Sequence, residues 1–215
     1  MSPTGPPTDL CTNQLLKICQ IPNTPVIFNR TFTLLNRIRF YHKVKLAWCK
    51  VETFSKEDVA HEAMLMQLWN TLKPDEALDN RLSKKWIDIG FQGMDPATDF
   101  RGSGLLGLKQ LVSLCTDPKT KAKALEMYAA STVQEQWFFF AVTGINITQK
   151  LLNSLNNSKD QVYRVDLDAM ILDAKHPVPA TSEQMEKLMD VFYRDLFERF
   201  TAKWVQIKPN IMEFN

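Results

Sequence analysis

The chain has 215 residues, 45% hydrophobic and 23% charged, with a formal net charge of +2. That is ordinary globular composition with room for one sizeable core, so one domain is the default. The longest charge-free run, between Glu135 and Lys150, is too short to cross a bilayer, which excludes a membrane span.

Residues 1–9, MSPTGPPTD, carry neither a basic n-region nor an apolar h-region and read as a disordered leader, not a secretory signal. The expected location is therefore cytoplasmic. Cys11, Cys19, Cys49 and Cys115 form no CxxC pair and no metal-ligand spacing, so buried free thiols and no metal are expected. The sequons at Asn29, Asn146 and Asn156 are short enough to arise by chance and would matter only in a secreted protein.

Charge is unevenly placed. No Asp or Glu lies between Asp9 and Glu52, whereas Lys17, Arg30, Arg37, Arg39, Lys43, Lys45 and Lys50 do. Such a segment suits an acidic partner, an anionic membrane surface or phosphate contacts. Because its basic residues are spaced out and not clustered, it is read as a solvated face, with no nucleic acid among the expected partners.

Taken in chain order, Asp9 caps a helix carrying Cys11, Leu15 and Ile18, stopped by Pro22 and Pro25. Residues 32–51 fit a period of two (Ile38, Phe40, His42, Val44, Leu46, Trp48) and also a helix (Leu34, Ile38, Tyr41), and periodicity does not choose between them. Ser55 with Asp58 resembles a capping box for a helix bearing Val59, Leu65, Met66, Trp69 and Leu72, ending before Pro74. A second helix is expected from Pro74 or Asp75 to about Trp86, with Leu78, Leu82 and Trp86 at intervals of four. A glycine-rich loop follows. Beyond it, Leu105, Leu108, Leu111, Val112 and Cys115 form an apolar face, and Asp117-Pro118 reads as the cap and first turn of a helix with Leu125 and Tyr128.

The run from Trp137 to Val142 is apolar on every side and should be central. Gly144 should break it ahead of a helix with Leu151, Leu152 and Leu155. Asn153 to Asp160 reads as a polar connector. Ser182 then opens the longest stripe: Met185, Leu188, Met189, Phe192, Leu196, Phe200 and Trp204. The sum is an all-α fold, a single irregular multi-helix domain.

Candidate chemistry narrows by elimination. His42, His61 and His176 sit in different neighbourhoods with no serine elbow to serve, against a hydrolase triad. No H-E-x-x-H or Cys/His cluster occurs. Gly102, Gly104 and Gly107 spell a dinucleotide fingerprint, but no strand precedes them and the Walker Gly-Lys-Ser/Thr is missing. No cofactor and no intrinsic active site are expected.

What stands out is where glycine falls: five of the seven glycines lie in residues 86–108, WIDIGFQGMDPATDFRGSGLLGL. Glycine is retained where the chain needs positive φ or another molecule approaches the backbone closely. Within this stretch Arg101 is flanked by Gly102 and preceded by Asp99. An arginine reaching from an open loop can neutralise transition-state charge in phosphoryl transfer on a partner, and its planar fork makes lysine a poor substitute. The competing reading is a loop clamp, with Arg101 paired to Asp99 or Asp95. Gln92 could orient a water or stabilise the loop, and Thr98 could cap a turn. Trp86 and Phe91 read as core anchors.

Residues 86–108 resemble the signature of the ELMO (engulfment and cell motility) domain family. His61-Glu62 with Leu68-Trp69, the run Phe140 to Thr148, Phe200 to Trp204 and Ile211 to Phe214 are also similar to the family pattern. The resemblance runs from about Ser55 to the C-terminus and divides the chain into a leader, 1–9, a basic helical segment, 10–54, and an ELMO-like domain, 55–215. It implies a mostly helical GTPase-activating protein for Arf-family small GTPases in their GTP-bound form, with Arg101 as the arginine finger. Asp99, Gln92, Thr98, Gly102 and Gly104 would support it or contact the partner, with membrane proximity only through that partner. The scaffold branch, which works with Dock-type exchange factors, lacks this arginine, so Arg101 favours the catalytic branch. The alternative is a non-catalytic module that binds a GTPase or an exchange-factor partner. The last matching block lies just before Asn215, so a C-terminal extension of relatives is expected to be absent, weakening partner affinity.

Overall fold

A computed structural model describes residues 52–78, 80–134, 136–156 and 182–209. The expectations for the leader, for the first basic helix and for residues 32–51 lie outside these residues, as does the connector beyond Asn156, whereas Asn153 to Asn156, expected to belong to that connector, are helical. The described residues form five α-helices, α1 (Val59–Leu72), α2 (Gly104–Thr116), α3 (Lys121–Ser131), α4 (Phe140–Asn156) and α5 (Ser182–Ile207). Two 3-10 helices, Lys84–Ile89 and Pro96–Arg101, lie between α1 and α2. Among the described residues there is no strand, and the fold is an all-helical single domain.

Helix α2 is the centre. Leu105, Leu108, Leu111, Leu114 and Cys115 are buried on its different faces, as a helix enclosed by neighbours requires, and α1, α3, α4, α5 and the second 3-10 helix all pack on it. Burial pushes the Cys115 thiol up to about 12, so it behaves as a small core hydrophobe. Along α5 the long stripe is real: Met189, Phe192 and Trp204 are buried, Leu196 and Phe200 pack partly buried against the core, and Tyr193 and Phe197 fill between them. The side chains of Met185, Leu188 and Leu155 lie outside the described set.

Several local expectations are corrected. Helix α1 starts three residues later than a Ser55 cap would place it: Asp58 is itself the cap, extended at φ −87° and ψ 115° and accepting from the Ala60 and His61 amides at 2.8 and 3.4 Å. Ser55 instead donates its hydroxyl to Glu57 and its amide to His61 Nδ1. Val59, assigned to the apolar stripe, is 83% exposed, while Leu65, Leu68, Trp69 and Leu72 carry the buried face.

The helix expected from residue 74 or 75 to Trp86 does not form. Leu78 and Trp86 do reach the core, but Leu82 between them is exposed, so the i, i+4 stripe does not form one buried face. The connector's carbonyls are taken by indoles: Trp69 Nε1 donates to the Glu76 carbonyl at 2.6 Å and Trp86 Nε1 to the Arg81 carbonyl at 2.7 Å. Two indole donors, one of them from α1, thus satisfy polar groups that a helix would have satisfied through its backbone amides.

Asp117 closes α2 and holds a turn, its carboxylate accepting the Lys119 amide at 2.8 Å, while α3 begins only at Lys121 with Thr120 as its cap residue. The aromatic run is not central throughout: Trp137 is exposed and Phe138 and Phe140 are buried, because residues 137–139 are non-helical and Phe140 starts α4. Gly144 lies inside α4 and breaks nothing. A Cβ there would run into the Tyr193 hydroxyl and Leu111 Cδ2, so the absent side chain is what lets α2 and α5 approach α4 closely.

Candidate functional site

The glycine-rich stretch is a braced structure. Its aromatic side chains form a ladder: Trp69 to Trp86 at 5.4 Å, Trp86 to Phe91 at 5.7 Å, Phe91 to Phe100 at 5.8 Å and Phe100 to Phe54 at 5.1 Å between ring centroids. Trp86 and Phe91 are fully buried, as expected of anchors, and the ladder holds both 3-10 helices against α1. The first three of these contacts are edge-to-face and the last is stacked, arrangements that add specific geometry to the burial itself.

Gly90 ends the first 3-10 helix in the left-handed region, φ 87°. It lies so close to the backbone of Phe139 and Phe140 that a Cβ would have no space, and its carbonyl accepts the Val142 amide at 3.0 Å. One end of the loop is thereby fixed to the start of α4. The other end is fixed at α2, where the Leu105 amide donates to the Glu52 carbonyl at 2.7 Å.

Between these points Asp95 caps the second 3-10 helix, with Pro96 at its first position, where a missing N–H does no harm. Asp95 Oδ1 accepts the Ala97 amide at 3.0 Å, and the Thr98 hydroxyl donates to the Asp95 carbonyl at 2.8 Å, the turn-capping role expected of Thr98. The loop clamp is Arg81, not Arg101. Arg81 Nε donates to Glu62 Oε1 on α1 at 2.8 Å and Nη1 to Asp95 Oδ1 at 2.6 Å. Burial opposes both charges, but the Arg81 hydrogen bond and the Ala97 amide hold the Asp95 carboxyl below its ordinary value, and the two carboxylates raise Arg81.

Arg101 is the last residue of this helix and is exposed. Among the described residues no hydrogen bond or ion pair holds its guanidinium. The expected pairing with Asp99 is not formed: Asp99 Oδ2 accepts the Gln92 amide at 2.9 Å, folding the loop back on itself. Burial raises the Asp99 carboxyl, against the pull of the Gln92 amide, the Thr98 hydroxyl and the Arg101 charge. Asp99 therefore acts on Arg101 through its field and through the shape of the loop.

The two glycines after Arg101 do different things. Gly102 has an ordinary helical backbone, φ −91° and ψ −36°, and the end of the Gln149 side chain from α4 lies where its Cβ would be. Gly104 starts α2 at φ 57°, a conformation that disfavours any side chain. The side chain of Gln92 is exposed and, with Gln149, lines a groove of about 790 Å³ between α4 and α5.

Sequence reasoning missed Arg81, Gln149 and the groove. Glu62 entered it only as part of a matching block. Arg81 reaches partners 19 and 14 positions away, beyond any local spacing rule. Among the described residues no group of His, Cys, Asp and Glu is placed to hold a metal ion, and no helix is long and apolar enough to cross a membrane.

Comparison with known proteins bears on this geometry. The ELMO/CED-12 family model matches residues 45–215. ELMO domain-containing protein B of Dictyostelium discoideum is 42% identical over 110 residues, covering 51% of this chain and 38% of that protein. ELMO domain-containing protein 2 of Homo sapiens is 34% identical over 163 residues, covering 75% of this chain and 51% of that protein. ELMO domain-containing protein 1 of Homo sapiens is 33% identical over 190 residues, covering 76% and 53%. The chain spans about half the length of most of these curated relatives, and no solved structure matches it. A family model that covers most of the chain, including the whole braced loop, leads to one assignment: the chain belongs to the ELMO/CED-12 family.

Proposed function

We propose that this chain is a GTPase-activating protein for an Arf-family small GTPase in its GTP-bound form, and that Arg101 is the finger it supplies in trans. The observation that carries the reading is the contrast between two arginines, one bracing the loop and one borne on it. Arg81 is spent on structure, bonded to Glu62 and Asp95. Arg101, at the far end of the short helix that Asp95 caps, is exposed and has no partner among the described residues. An exposed guanidinium on a braced backbone suits electrostatic stabilisation, because the segment that presents the donor fork is fixed before the reaction begins.

The chemistry asked of it is limited. As the bond to the γ-phosphoryl group breaks, negative charge spreads over equatorial and bridging oxygens, and an inserted arginine is worth about 10³ to 10⁵ in rate. The attacking water, the magnesium and the nucleotide belong to the partner. Asp99 shapes the loop, Thr98 caps it, and Gln92 and Gly102 flank the point of entry.

The test is GTP hydrolysis by a panel of GTP-loaded Arf-family GTPases with and without the protein. The expected result is acceleration of at least one, lost in both Arg101→Ala and Arg101→Lys, with stability unchanged to within about 0.5 kcal/mol because the side chain is at the surface. Acceleration by Arg101→Lys equal to wild type would end the proposal. Binding of a GTPase without acceleration by the wild-type protein would assign the chain to the non-catalytic, scaffold-like role.

A further inference from the structure

A finger cannot hold a partner by itself. A specific complex buries about 800 Å² on each side, far more than one arginine and its neighbours offer, so the partner must also cover surface beside Arg101. That surface has an evident candidate. The groove between α4 and α5 begins at the arginine loop: Gln92, whose amide is bound by Asp99, and Gln149, which lies over Gly102, both line it.

Its composition is one-sided. The floor includes Ile147, Leu196 and Phe200, all partly buried, and the polar wall includes Lys150, Arg199 and Lys203, with no carboxylate among the lining residues. Lys203 donates to the neutral amide of Gln206, and Arg199 to Asp195 one turn earlier on the same helix. The latter pair is solvent-exposed, 74% and 52% at its two side chains, and such pairs exchange partners readily. A volume of about 790 Å³ lies within the usual range for binding clefts.

We infer that the α4/α5 groove is the docking surface for the GTPase, and that it receives an extended, acidic segment of that partner with apolar side chains on one side. This deepens the proposed function and rests on it for the partner's identity. A wall that carries cations and no carboxylate favours a negatively charged occupant and speeds its approach. The concave, apolar floor fits a protruding protein segment better than the flat face of a bilayer.

The test separates docking from chemistry. Binding of an Arf-family GTPase loaded with a non-hydrolysable GTP analogue is titrated directly, and hydrolysis is measured against protein concentration. The Arg199→Glu/Lys203→Glu variant should weaken binding and raise the half-saturating concentration by about tenfold or more while the saturating rate stays near wild type, and the salt dependence of binding should flatten. Arg199→Lys/Lys203→Arg should restore wild-type affinity, which separates charge from misfolding. Arg101→Ala should do the reverse, losing rate while binding persists. Wild-type affinity in the Glu variant overturns the inference even if Arg101 proves essential. Loss of binding to phosphatidylserine vesicles with unchanged affinity for the soluble GTPase overturns it too, by assigning the groove to lipid. A wild-type protein that binds the GTPase through these residues but accelerates nothing supports the groove and removes the finger.

Discussion

Asp95 Oδ1 accepts two hydrogen bonds at once, from Arg81 Nη1 at 2.6 Å and from the Ala97 amide at 3.0 Å. The oxygen that caps the helix ending in Arg101 is therefore the one tied, through Arg81, to Glu62 on α1. Removing Arg81 leaves two carboxylates facing a vacated position. The pair lies between surface and core, with Arg81 26% and Asp95 33% exposed. Arg81→Ala should lower stability by about 2 kcal/mol, between the values for exposed and buried pairs. In a chain of this size that is roughly 4–8 °C in melting temperature. Arg81→Lys should recover little, because one ammonium lacks the fork that reaches both acids. Thermal and urea melts of the three proteins check this.

Two acids of the same short helix should respond to pH with opposite sign. The Asp95 carboxyl is held below its ordinary value of 3.8, so its contribution to stability is present above 3.8 and lost as pH falls through the lower folded value. The Asp99 carboxyl is raised above 3.8, chiefly by burial, so its contribution is present below 3.8 and lost as pH rises through the higher folded value. Relative to wild type, Asp95→Asn should become more destabilising as pH rises toward and past 3.8. Asp99→Asn should become less destabilising as pH rises above 3.8. Melting temperatures taken from pH 7 down to about 2.5 read both slopes; parallel curves would contradict the assignment.

Gly102 and Gly104 look alike in the sequence and should behave differently. The atoms nearest an alanine Cβ at Gly102 are those at the end of the Gln149 side chain, which can rotate away, so Gly102→Ala should change stability by less than about 0.5 kcal/mol. Gly104 is at φ 57°, and Gly104→Ala should lose about 1–2 kcal/mol to left-handed strain. Chemical denaturation of the two variants distinguishes them, and equal effects would refute the difference.

The crossing of α4 with α5 supplies a double-mutant test. In an unconstrained helix Gly→Ala stabilises by about 0.5–1 kcal/mol, but a Cβ at Gly144 would strike the Tyr193 hydroxyl and Leu111. Gly144→Ala should therefore lose about 1–3 kcal/mol by overpacking. The Tyr193 hydroxyl is buried without a hydrogen-bond partner, so Tyr193→Phe should be neutral or better. Combined, the two substitutions should recover part of the loss, and strict additivity would place the strain elsewhere.

Long amphipathic elements were legible because their period is local. The buried faces of α2 and α5, and most of that of α1, follow from spacings of three and four. The braced loop was legible as a place but not as a structure: its two 3-10 helices are six residues each, too short for a period, and they are held by rings and carboxylates from other segments. Gly144 was misread for a related reason. Glycine in an apolar run signals a break when only its own chain is considered, whereas here the reason for it is Tyr193, 49 positions later. Arg81 had no signal at all, since both its partners sit on other elements. Arg101 is singled out by its glycine-flanked setting, and the expectation that Asp99 would grip it fails because that carboxylate is engaged by the Gln92 amide.

The attachment of Gly90 to α4 and of Leu105 to the segment before α1 bears on how tightly a partner can be gripped. Loops that must be tamed on association surrender part of their affinity to lost disorder. Here the stretch carrying Arg101 is stitched at each end during folding, so the backbone beneath the guanidinium arrives already placed. Only its own side-chain rotamers remain to be frozen when another molecule closes over it.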